Sequence, residues 1–114
     1  MPEEMNTATE KVLFTGSFES AAHPTNGTVR VVETSGTRKL VFENFKTDPG
    51  PDLDVYLSDS QGASTFINLG DLKATSGKFE YTIASTVDLK TTKHVLIWCV
   101  TFSVLFGHAE LKMN

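Results

Sequence analysis

The chain has 114 residues, enough for one domain that buries roughly two thirds of its unfolded surface without disulfides or a structural metal. Its net charge of −4, its pI near 5.2 and the scatter of its ten Lys and Arg residues exclude a nucleic-acid-binding protein, which would carry a basic stripe. The 15 Thr, 10 Val and 3 Ile residues make up about a quarter of the chain, and β-branched residues at that frequency favour an all-β fold.

Residues 1–10 are polar and predict an N-terminal arm outside one β domain of residues 11–114. Within the domain, apolar and polar residues alternate in short segments separated by Gly, Pro, Asn and Asp, which is typical of strands and turns. The first six predicted strands are residues 11–19, 28–33, 39–44, 53–58, 65–69 and 78–83. In the fourth, the alternation predicts that Leu53, Val55 and Leu57 face inward while Asp54, Tyr56 and Ser58 face outward.

Residues 94–111 form the longest apolar run and contain the only tryptophan, Trp98, and the only cysteine, Cys99. Polar residues interrupt this run, so it does not predict a membrane span, which needs about twenty predominantly apolar residues. It instead predicts two central strands, residues 94–102 and 105–111, with a bend near Ser103. The complete prediction is a single antiparallel β-sandwich or flattened barrel of about eight to ten strands.

The ordered motifs of the second half resemble a known family. They are Gly50-Pro51-Asp52-Leu53, Val55-Tyr56-Leu57-Ser58, Leu69-Gly70, Trp98-Cys99 and Phe106-Gly107. This order resembles the DM-thirteen domain, found beside DOMON domains in animal extracellular proteins and alone in bacterial exported proteins. The resemblance implies an all-β fold and an electron-transfer role around a signature cysteine, here Cys99. It also implies an extracellular or periplasmic origin with the leader removed. The sequence shows no signal peptide, so a cytoplasmic location stays open.

The first functional hypothesis is therefore a redox accessory domain that acts through Cys99 with a separate redox protein and no cofactor. Trp98, Phe102 and Phe106 are expected to pack the thiol and screen it from water, and His23 is its expected partner across the fold. A reactive thiol needs thiolate character and access to solvent. The alternative is a buried cysteine that acts as a small hydrophobic residue.

No metal site is predicted. His23, His94 and His108 could join Cys99 around a transition metal, but no two of them lie at a ligand spacing. His94 is interpreted as part of a solvated strand edge and His108 as pointing outward. Three acids, Asp48, Asp52 and Asp54, surround the Gly-Pro turn and offer oxygen ligands for calcium, but their spacing matches no calcium signature. Turn formation, with Asp side chains bonding their own backbone, is the favoured interpretation.

The second functional hypothesis is an extracellular binding or adhesion module without chemistry. It would use the end loops of the fold, residues 23–27, 48–52 and 60–64, with His23 and Asp52 as contact residues. The sequence contains no nucleophile elbow, phosphate loop or zinc-protease motif. A stand-alone enzyme is therefore not expected, and a small hydrolase is the weakest candidate.

Overall fold

The computed structural model describes residues 10–114, and these residues form nine antiparallel strands and no helix. The strands are β1 (Lys11–Ser20), β2 (Thr25–Thr34), β3 (Thr37–Thr47), β4 (Leu53–Ser58), β5 (Phe66–Asp71), β6 (Ser76–Ile83), β7 (His94–Cys99), β8 (Val104–Glu110) and β9 (Lys112–Met113). The predicted all-β class is confirmed. None of the described residues belongs to a helix long and apolar enough to cross a membrane. Nine residues of the expected N-terminal arm, 1–9, lie outside the described part.

The strands follow one hydrogen-bonded path in the order β5-β4-β7-β8-β1-β2-β3-β6, with β9 paired to β1. Strand β1 joins the two halves of this path, because its first part pairs with β2 and its last three residues, Phe18 to Ser20, pair with β8. A strand that changes partner in this way turns the corner between two layers. The result is a flattened barrel, as predicted.

The core lies between the two layers and combines aliphatic and aromatic side chains. Phe42 is fully buried, and its ring centroid lies 5.5 Å from that of Phe18, 5.3 Å from that of Phe45 and 4.6 Å from that of Phe79. From the opposite layer, Val55 and Ile97 belong to the same buried cluster. Burial of apolar surface on this scale is the main favourable term in folding.

Strand β4 is buried on both faces, which corrects part of the sequence prediction. Leu53, Val55 and Leu57 face the core as expected, but Asp54, Tyr56 and Ser58 are also buried. The reason is that β4 lies between β5 and β7, whose side chains cover its outer face. The Tyr56 ring stacks 4.0 Å from that of Phe66 and 5.9 Å from that of Trp98.

Strand β7 ends at Cys99, three residues earlier than predicted, and the next four residues form the turn to β8. Ser103 closes this turn with a φ of 53°, so the expected bend is a reversal of the chain. His94 does not lie at a sheet edge, because β7 pairs with both β4 and β8. The Nδ1 atom of His94 is buried and has no hydrogen-bond partner among the described residues. The His108 side chain is only 13% exposed, although the adjacent Ala109 is the one that enters the core.

Candidate functional site

Cys99 is the last residue of β7 and is completely buried as a free thiol. Its backbone lies opposite Leu53 on β4 and Val104 on β8. The thiol donates a hydrogen bond to the carbonyl oxygen of Pro51, with Sγ and O 3.2 Å apart. This carbonyl belongs to the Gly-Pro segment, residues 48–52, which precedes β4, so that segment contacts the thiol.

The segment of residues 48–52 is held by backbone contacts at its end nearest Cys99. The N–H of Val100 donates to the carbonyl of Asp52 at 3.0 Å, and Asp52 has a left-handed φ of 52°, a conformation that Asp tolerates better than most residues. Gly50 lies against the ring of Phe106, since a Cβ at this position would be 2.7 Å from the ring carbon Cζ. Glycine therefore lets the segment approach Phe106 closely.

His23, the expected partner of Cys99, contacts the same segment through Asp48. Its Nδ1 lies 3.0 Å from Oδ2 of Asp48, and its ring stacks on that of Phe106 with centroids 3.9 Å apart. The side chains of His23 and Asp48 are 39% and 50% exposed, so this pair lies at the surface. Phe106 thus separates a polar surface pair from the core that contains Cys99.

Two of the three expected aromatic neighbours do not screen the thiol. Successive residues of a strand point to opposite faces, so Trp98 faces away from Cys99 and packs beside Tyr56. Phe102 lies in the turn after β7 and is 67% exposed. Phe106, which is 4% exposed, is the one that shares the buried cluster with Cys99. Strand alternation alone places Trp98 and Phe102 on the face opposite Cys99, so the predicted strand already carried a signal for this division.

A cluster of three carboxylates includes Asp52, the last residue of the Gly-Pro segment. One carboxylate oxygen from each of Asp52, Asp54 and Asp71 lies within 4.8 Å of the others. Asp54 is only 7% exposed; its Oδ2 accepts a hydrogen bond from Nδ2 of Asn68 at 2.9 Å, and its Oδ1 is buried without a partner among the described residues. Burial raises the pKa of Asp54, and the nearby Asp52 and Asp71 raise it further.

This acidic cluster, defined as Asp52, Asp54 and Asp71, differs from the three acids that the sequence singled out. Asp48 contacts His23 instead, and Asp71 is the third acid of the cluster. Asp71 is opposite Asp54 in the β4–β5 pairing, a register that could have been found only by aligning the two strands across a long loop. The carbonyl of Asp71 also accepts a 2.7 Å hydrogen bond from the hydroxyl of Tyr81, whose burial raises its pKa to about 12.

Comparison with known proteins identifies the family. The family model described as electron transfer DM13 matches residues 17–111, which include Cys99, the Gly-Pro segment and all three acids of the cluster. Searches of curated proteins and of solved structures found no match. Since the match covers nearly the whole chain and agrees with the resemblance seen in the motifs, this chain belongs to the electron transfer DM13 family.

Proposed function

We propose that this domain exchanges electrons with a separate redox protein and that the Cys99 thiol is the group that changes oxidation state. The family description supports an electron-transfer role. The observation that carries the cysteine assignment is the position of Sγ, at the end of β7 and 3.2 Å from the Pro51 carbonyl. Residues 48–52 contact the sulfur through this carbonyl, and on our proposal a local movement of this segment exposes it.

The simplest chemistry for a single cysteine is exchange with a disulfide of the partner. Once the segment moves, the Cys99 thiol loses its proton to solvent and the thiolate attacks one partner sulfur. A new S–S bond forms, the partner disulfide breaks, and its second sulfur leaves as a thiolate with the bonding electron pair. The Cys99 sulfur is oxidised and the leaving sulfur is reduced. A thiolate that attacks the mixed disulfide reverses the step.

The closed position of the segment explains how the thiol is protected between partners. The Pro51 carbonyl accepts a hydrogen bond from the Cys99 thiol, and this bond holds the segment against the sulfur in the closed state. Phe102, exposed in the turn that begins directly after Cys99, offers an apolar contact for the partner at the same end of the fold. Docking there would bring the partner sulfur close to the segment that must move.

The test is the rate of reaction of Cys99 with a small aromatic disulfide that releases a coloured thiolate, measured at several urea concentrations below the unfolding transition. We expect slow but complete reaction in the native protein and fast reaction after denaturation, with Cys99→Ala as the unreactive control. Local opening predicts a rate that hardly changes with urea, because little surface is exposed. A rate that rises with the full equilibrium m-value would mean that only global unfolding exposes the thiol, and would refute the proposal.

We also propose that the domain works in an extracellular or periplasmic compartment, where disulfide exchange persists. Support comes from the resemblance of the motifs to exported proteins. Separation of the source cells into cytoplasmic and exported fractions, followed by detection with an antibody to this domain, tests the location. Detection in the cytoplasmic fraction alone would contradict it.

The second candidate is a binding module that uses its end loops, and the exposure of Phe102 in the turn between β7 and β8 favours it independently of the thiol. Two substitutions distinguish the two candidate functions. A module without chemistry keeps its partner binding when Cys99 is replaced by alanine and loses it when Phe102 is replaced by serine. An electron-transfer domain loses disulfide exchange with either change, because it needs both the sulfur and the docking contact.

A further inference from the structure

We propose that the acidic cluster binds a hard divalent cation and that Ca²⁺ is the ion that fits it. This inference goes beyond the electron-transfer proposal and does not depend on it. The ligands would be the carboxylates of Asp52, Asp54 and Asp71, with water completing the coordination.

The backbone brings the three acids together from two strands. Asp54 lies directly opposite Asp71 across the β4–β5 pairing, and Asp52 precedes β4 by one residue. Their oxygens lie within 4.8 Å of one another. Two oxygens bound to one Ca²⁺ ion at about 2.3–2.6 Å lie at most about 5.2 Å apart, so this upper limit is compatible with one shared ion. All-oxygen donors suit a hard ion, and calcium accepts irregular coordination whereas Mg²⁺ demands a near-ideal octahedron, so Ca²⁺ suits three acids drawn from a turn and two strands better.

The stronger observation is the unused oxygen of Asp54. Oδ1 is buried and has no donor among the described residues, although Asn68 satisfies Oδ2. A buried acceptor without a partner costs about 1–3 kcal/mol, and more when it is charged. Within residues 10–114, no Lys or Arg forms an ion pair with any acid of the cluster. Three carboxylates thus face one another with no protein cation to balance their charge, and a bound cation would supply the missing partner.

The site is open to ions from solvent. A cleft of about 270 Å³ is lined by Asp52 and Asp71, with Thr75 on its wall. Asp54 forms the buried inner side of the cluster, while Asp52 and Asp71 are exposed. An ion from solvent therefore meets the exposed carboxylates of Asp52 and Asp71 first, with the buried carboxylate of Asp54 behind them. The competing occupant is a proton, which would join Asp54 to one of its acidic neighbours.

The experiment uses Tb³⁺, which replaces Ca²⁺ and emits when a nearby aromatic residue is excited. Trp98 is the direct cross-strand neighbour of Asp54 and provides the donor. We expect sensitised emission that Ca²⁺ displaces at concentrations of about 10⁻⁴–10⁻³ M, the range of extracellular calcium modules. We also expect a Ca²⁺-dependent rise of several degrees in Tm.

Three variants decide whether the cluster is responsible. Asp54→Asn and Asp71→Asn should each lose the displaceable emission and the rise in Tm, while Glu19→Gln, which removes a 76% exposed carboxylate elsewhere, should keep both. Circular dichroism tests whether each variant is folded. If Asp54→Asn is unfolded, the result for Asp71→Asn alone decides whether the cluster binds the ion. Absence of emission and of a Tm rise in the unaltered chain would overturn the proposal, as would effects that both Asp variants retain. In the first case, a fall in Tm as the pH rises, abolished by Asp54→Asn, would identify the proton as the occupant.

Discussion

Gly107 of β8 lies against Thr25 of β2, and an added methyl group there should destabilise the fold. A Cβ built on Gly107 would overlap the side chain of Thr25, with the methyl carbon Cγ2 only 2.7 Å away. Thr25 is 1% exposed and cannot rotate freely, because its hydroxyl lies 3.1 Å from the His23 carbonyl, 3.1 Å from Oγ1 of Thr47 and 3.3 Å from the Phe106 carbonyl. Gly107→Ala must therefore displace a strand or break this network.

The expected loss of stability combines two effects. Insertion of one methyl group into a packed interior costs about 1–3 kcal/mol. Displacement of the Thr25 hydroxyl loses about 1 kcal/mol of net hydrogen bonding. We therefore expect Gly107→Ala to lower the free energy of unfolding by about 2–4 kcal/mol. The Phe106 carbonyl also accepts the N–H of His23 at 3.2 Å, so the His23 loop should loosen as well.

Urea denaturation followed by Trp98 fluorescence measures this free energy. Gly62→Ala is the matched control, because a Cβ at Gly62 has only the Ser60 hydroxyl within 4 Å, at 3.8 Å. The control should change stability by less than about 0.5 kcal/mol, as surface substitutions do. If Gly107→Ala falls in that same range, the two strands do not approach as closely as described and the reasoning is refuted.

Two further changes test an ion pair and the segment that contacts the thiol. Arg30 donates hydrogen bonds to Glu43 through Nε and Nη2, which lowers the pKa of Glu43 below its usual 4.5. The ion pair therefore stabilises the fold fully above pH 4.5, and this stabilisation is lost as the pH falls below that value. Glu43→Gln should cost about 0.5–1 kcal/mol at pH 7 and progressively less as the pH falls below 4.5, measured by urea titration at a series of pH values; a loss that does not change with pH would contradict this. Asp48→Asn, which weakens the contact with His23, should speed disulfide exchange at Cys99 several-fold, whereas an unchanged rate would mean that this contact does not hold the segment closed.

The alternation of residues predicted most of the fold, because the central strands bury at least one face. Residues 53–58 are an example: the inward set was correct, and β4 has the predicted bounds. The extent of β7 was not predictable in the same way. Val100, Thr101 and Phe102 all favour strands, and only the tertiary pairing of Cys99 with Val104 makes these residues a turn.

The candidate sites depended on long-range contacts that a sequence does not display. Cys99 stood out as the only cysteine, but its hydrogen-bond partner is a backbone carbonyl at Pro51, 48 positions away. Asp52 and Asp54 stood out as acids near a turn, whereas Asp71 had no local signal because it joins the cluster through strand register alone. Asp48 was assigned to the same group by proximity in sequence, and the fold carries it to His23 instead.

Asp52 belongs to the acidic cluster and also contacts the strand end that carries Cys99. Its carboxylate belongs to the acidic cluster, while its carbonyl accepts the N–H of Val100, the neighbour of Cys99. A cation held by this carboxylate fixes the end of the segment whose Pro51 carbonyl contacts the thiol. Cation binding and opening of the segment are then coupled, and such coupling is reciprocal. The factor by which the cation lowers the equilibrium constant for opening equals the factor by which opening lowers the affinity for the cation. On the two proposals together, a rise in Ca²⁺ slows electron exchange at Cys99 without any contact between ion and sulfur.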